Sequence, residues 1–73
     1  MKKIINGKIY NTETARIVCN IPINKILYMT KKGAFFVLYS DHLYVVEYEK
    51  ALALAEQHAD TTTIEEFFIT IDA

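Results

Sequence analysis

The chain has 73 residues, 52% apolar and 23% charged, with one cysteine and a net charge of −1. That composition describes a single small globular domain rather than a disordered segment. Cys19 alone excludes an intramolecular disulfide, which points to stability from packing and to a reducing cytoplasm. No apolar run approaches the ~18 residues of a membrane span. Asn6, Gly7 and Lys8 interrupt the amino terminus before it can resemble a signal peptide.

The first half of the chain reads as strands. Lys2 to Tyr10 is a hairpin with Asn6-Gly7 as its two-residue turn, because a type I′ turn needs positive φ at both central positions. Ile5 then faces Lys8, and Ile4 faces Ile9 on the other side. Asn11, Thr12, Glu13 and Thr14 offer side-chain oxygens for a cap or turn. Arg16 to Ile21 resumes an apolar run that Pro22 ends; it reads as a strand in preference to a last helical turn.

Asn24 to Tyr48 carries three apolar runs rich in Val, Ile, Tyr and Phe, broken by Lys31-Lys32-Gly33 and Ser40-Asp41-His42. These predict a three-stranded antiparallel meander, continuous with the hairpin in one sheet. Gly33 supplies the positive φ of a three-residue loop. With Asp41-His42 as the second turn, Met29 faces Phe35, Leu27 faces Val37, Tyr39 faces Tyr44, Val37 faces Val46 and Phe35 faces Tyr48. Ile26, Tyr28, Phe36, Leu38, Leu43 and Val45 collect on the opposite face. Both faces are therefore apolar, whereas a sheet with one wet face alternates cleanly. One face suits the chain's own helix. The other needs the N-terminal segment, a second copy forming a homodimer through the sheet face, or a partner protein.

Tyr48 to Ala59 is the clearest helix. At 100° per residue, Tyr48, Ala51, Leu52, Leu54, Ala55, His58 and Ala59 form one stripe. Glu49, Glu56 and Asp60 line up opposite, as a solvated face or as a surface shaped to meet a basic one. Thr62 with Glu65, or Thr63 with Glu66, has the spacing of a capping box for a short C-terminal helix, although Phe67, Ile69 and Ile71 would also alternate as a strand.

The net charge hides a strong polarity. Residues 1–40 carry Lys2, Lys3, Lys8, Arg16, Lys25, Lys31 and Lys32 against Glu13, a balance of +6. Residues 41–73 carry Asp41, Glu47, Glu49, Glu56, Asp60, Glu65, Glu66 and Asp72 against Lys50, a balance of −7. Such polarity either steers a charged partner or is neutralised by pairing between the halves. Chemistry is otherwise sparse. Gly7 and Gly33 are turn residues, so no phosphate-cradling loop is expected. Cys19, His42 and His58 have no metal-ligand spacing, and His58 reads as a core-edge residue. Glu65-Glu66 suits a helix N-terminus better than an acid and base pair. No cofactor, metal or enzymatic activity is expected.

The opening KKIINGKIYNTETARIV, followed by LYMTKKGAFFVLY, resembles a family of small uncharacterised proteins of low-GC Gram-positive bacteria, their phages and plasmids. Those proteins share an INGKxYxTETA-like opening, an LYxTKKGxFF hairpin, a helix similar to ALALAEQHA and an acidic tail like IEEFF. Here the tight SDHLYVVEY replaces their acidic, Gly-rich insert, and the helix lacks their Trp. The resemblance implies a mobile-element accessory protein that binds host machinery, in the manner of anti-CRISPR inhibitors. The sequence thus predicts an α+β domain over residues 1–73, with an N-terminal β-hairpin, a central antiparallel meander packed by an amphipathic helix, and a short C-terminal helix. The expected partner is a host protein with a basic surface, such as a CRISPR effector nuclease, met by Glu49, Glu56, Asp60, Glu65 and Glu66. The alternative is nucleic-acid binding through Lys2, Lys3, Lys8, Lys31 and Lys32 of the β half. It ranks second because Arg16 is the only arginine, no recognised motif is present and the acidic half repels phosphate.

Overall fold

The computed structural model describes all 73 residues and has the predicted α+β architecture. Strands β1 (Lys2–Ile5) and β2 (Lys8–Asn11) form the N-terminal hairpin. Asn6 and Gly7 have φ of 52° and 75°, and Ile4 pairs with Ile9 and Ile5 with Lys8, as the Asn-Gly turn requires. The Met1 ammonium donates to Thr12 Oγ1 at 2.8 Å and closes the hairpin's open end. Asn11 then turns the chain back, its Oδ1 accepting from the Glu13 N–H and its carbonyl from the Ala15 N–H, both at 3.0 Å.

That reversal separates the hairpin from the meander. Strands β3 (Arg16–Ile21), β4 (Lys25–Met29), β5 (Phe35–Tyr39) and β6 (His42–Val46) form a four-stranded antiparallel sheet in the order β3-β4-β5-β6. The hairpin is a two-stranded sheet of its own, not a continuation of the larger one as expected. An isolated hairpin is marginal in water, so this one gains stability by lying on a sheet face.

Met29 pairs with Phe35 and Leu27 with Val37, as read from the sequence. The β5–β6 register differs, since Tyr39 pairs with His42, Val37 with Tyr44 and Phe35 with Val46. The turn is Ser40-Asp41, with Ser40 at φ 58°. Serine is an uncommon left-handed residue, which is why the sequence signal pointed one position later. Each partner moves by two positions, so every side chain stays on its expected face. A bulge at Val18 turns both Val18 and Cys19 toward one core.

The sheet therefore separates two cores. On one face, Val18, Cys19, Ile21, Leu27, Phe35 and Val37 pack under helix α1 (Tyr48–His58), helix α2 (Thr61–Phe67) and Phe68. Ala51 and Ala55, one turn apart, are fully buried, and their small side chains let the α1 backbone approach the sheet. Phe35 stacks on Phe68 with centroids 5.0 Å apart, and the Tyr48 ring meets both edge-on. The Tyr48 hydroxyl accepts from the Ile69 N–H at 3.0 Å.

On the other face, Tyr10 from the hairpin joins Tyr28, Phe36 and Leu43. Phe36 stacks on Tyr28 at 4.9 Å and meets Tyr10 edge-on at 5.7 Å. Of the three covers considered for this face, the N-terminal segment is the one present. The centre of the face on which self-association was expected is occupied by the chain itself, leaving Val45 of the edge strand β6 exposed there at 40%; its neighbour Tyr44, exposed at 42%, is on the helix side. Phe36 is 0% exposed at the centre of this second core. Phe36→Ala is expected to cost about 3–5 kcal/mol in urea denaturation. A cost below about 1 kcal/mol would show that the hairpin does not enclose this face.

Candidate functional site

The sheet also divides the charge. The helices occupy one face and the hairpin the other. Glu49 and Glu56 are exposed on α1 and lie seven residues apart, so they share its outer face, with Glu47 exposed at its start. Glu65 is exposed on α2. These four make no ion pair.

The remaining two residues of the expected acidic surface have partners of their own. Glu66 pairs with Arg16, whose guanidinium also sits 4.5 Å from the Phe67 ring centroid. Asp60 lies beyond α1 and is the N-cap of α2, its Oδ1 accepting from the Thr63 N–H at 2.8 Å. Neither threonine of the expected capping boxes takes that role, because the helix starts earlier, at Thr61, and the aspartate ahead of the threonine run caps it through the Thr63 N–H. The bonds from Thr63 hold the Asp60 carboxyl below its ordinary range. Pairing between the halves is confined to Arg16–Glu66, and the contact of the His42 imidazole with its neighbour Asp41, at 3.9 Å, is local.

On the hairpin side, the β1–β2 turn and the β4–β5 loop enclose a groove of about 580 Å³. Lys8, Ile9 and Tyr10 line it from the hairpin, and Thr30, Lys31 and Lys32 from the loop. No carboxylate lines it, and none of its lysines has an acidic partner. The loop is braced by Thr30, whose N–H donates to the Ala34 carbonyl at 2.7 Å and whose Oγ1 accepts from the Ala34 N–H at 3.0 Å. Gly33 allows this closure at φ 90°. The sequence grouped Lys8, Lys31 and Lys32 with Lys2 and Lys3 in the basic β half, as the alternative nucleic-acid surface. Their convergence depends on the hairpin folding over the sheet, and Lys2 and Lys3 do not line the groove.

Cys19 lies in the helix-side core, where burial raises its thiol pKa. His42 is exposed in β6, and His58 is exposed as well, not at the core edge as expected, because α1 ends there. The chain forms no group of three or more His, Cys, Asp and Glu side chains able to hold a metal ion. No helix is long and apolar enough to cross a membrane. No family model, curated protein or solved structure matches the chain.

The lowered Asp60 pKa has a defined consequence. A carboxylate depressed in the folded state contributes stability above its unfolded pKa and loses it as pH falls through the folded value. Asp60→Ala is therefore expected to melt at a lower temperature than wild type at neutral pH, with the gap closing as pH falls below ~4. Thermal melts across that range check this. A gap independent of pH would show that the cap is not ionic.

Proposed function

We propose that this chain is a small non-catalytic accessory protein of a mobile element, acting by binding a host protein through the acidic outer surface of its helical half. The supporting observation is that Glu47, Glu49, Glu56 and Glu65 are exposed and unpaired although the chain carries a comparable number of bases. A charged face left unneutralised by its own domain favours encounter with the opposite charge and gives association that salt weakens. The fitting partner is a host protein with a basic surface. The basic nucleic-acid channel of a CRISPR effector nuclease is such a surface, and the resemblance to phage and plasmid proteins adds this context. A cytoplasmic site of action belongs to the same reading.

The test uses Glu49, Glu56 and Glu65, because Asp60 and Glu66 also hold the fold together. Glu49→Lys/Glu56→Lys/Glu65→Lys is expected to retain the wild-type circular dichroism spectrum. It is also expected to lose inhibition of target cleavage by CRISPR effectors of Gram-positive hosts, and salt is expected to weaken wild-type binding to the inhibited effector. A folded triple variant that inhibits as well as wild type would remove the acidic surface from the mechanism. Failure of wild type to inhibit any effector would remove the effector as the target.

A further inference from the structure

We propose that the groove between the hairpin turn and the β4–β5 loop is a second binding site, which takes the phosphate backbone of a single-stranded nucleic acid. Lys8, Lys31 and Lys32 come from elements more than twenty residues apart in sequence and line the same groove, with no carboxylate among the lining residues. All three are exposed. Lysine ammonium groups act as mobile point charges for phosphate, each neutralised phosphate releasing condensed counterions.

The acidic helices do not cancel this site. They lie across the sheet from the hairpin, and layers packed on a sheet stand about 10 Å away. At physiological salt, exposed charges farther apart than about 8 Å are largely screened. The net charge of −1 is therefore a poor guide to the potential inside the groove.

The groove's shape and lining narrow the ligand. A duplex is read by an element that protrudes into its major groove, whereas this site is concave and suits a single strand. Its lysines sit on two separate elements, an arrangement for successive phosphates rather than one enclosed anion. Tyr10, the only aromatic residue of the lining, is 5% exposed and packed against Phe36, so it offers no stacking platform for bases. Recognition is then by backbone charge and largely independent of sequence. The site stands independently of the acidic face, and a chain using both would bring a basic protein and a nucleic acid together.

Fluorescence anisotropy with a labelled oligothymidylate of roughly 12 nucleotides tests this. At physiological salt the expected dissociation constant is on the order of 10⁻⁴ to 10⁻⁶ M. With three phosphates neutralised, the log–log slope of affinity against salt is about −2. Lys8→Glu/Lys31→Glu/Lys32→Glu is expected to weaken binding roughly tenfold or more at low salt and to flatten that slope. Lys31→Ser/Lys32→Ser, which adds no repulsion, is expected to give a partial loss. Lys50→Glu on α1 and the triple helix-face variant are expected to bind as wild type does, which keeps this result separate from that of the acidic surface. Absence of binding at low salt, or equal binding by the folded groove variants, would overturn the proposal. Tighter binding of the matching duplex, of polyglutamate or of anionic phospholipid vesicles would overturn its assignment to single-stranded nucleic acid.

Discussion

A sheet with two apolar faces, carried by a chain of 73 residues, is the constraint on which the structure depends. Burying one large apolar side chain is worth about 1.5–3 kcal/mol. Leaving Tyr28, Phe36 and Leu43 wet would consume much of the 5–15 kcal/mol or so that a domain has in hand. The chain covers one face with its last third and the centre of the other with Ile5 and Tyr10 of the hairpin. Each cover is too short to be stable alone, and the sheet supplies the surface that stabilises it. Aromatic stacking recurs on both sides, as Phe35–Phe68 under the helices and Tyr28–Phe36 under the hairpin.

This arrangement turns a charge gradient along the sequence into a charge difference across the molecule. The basic N-terminal segment is the cover of one face and the acidic C-terminal segment the cover of the other. The two charged surfaces are held apart by the apolar layer that both conceal. Arg16 and Glu66 meet because Arg16 pairs with Met29 at the start of β3, on the helix side of the sheet. The hairpin lysines lie across the sheet from the helices, whereas Lys25, paired with Tyr39, is on the helix side.

Local signals in the sequence carried most of the fold. Asn6-Gly7 and Gly33 defined their turns through φ, and the spacing of Ala51 and Ala55 marked the buried side of α1. Ser40 hid the second turn because serine seldom takes a left-handed conformation. The bulge at Val18 had no local signal, because neither Gly nor Pro accompanies it. Asp60 was visible as an acid but not as a cap, since the threonines that follow offer the same oxygen chemistry. The candidate site was less legible. Exposure of Glu49 and Glu56 follows from helical periodicity, but the meeting of Lys8 with Lys31 and Lys32 depends on where the Asn11 turn sends the hairpin. Sequence spacing does not encode that long-range event.

The placement of the hairpin decides both the second core and the groove, so it is the point at which this account is most directly tested. Solution NMR of the intact chain reads it through the Tyr10 and Phe36 rings, whose centroids lie 5.7 Å apart. Nuclear Overhauser contacts between these rings, with β1 and β2 amides protected from hydrogen exchange, are the predicted result. Absence of those contacts, with hairpin amides exchanging at the rate of unfolded chain, would contradict the account.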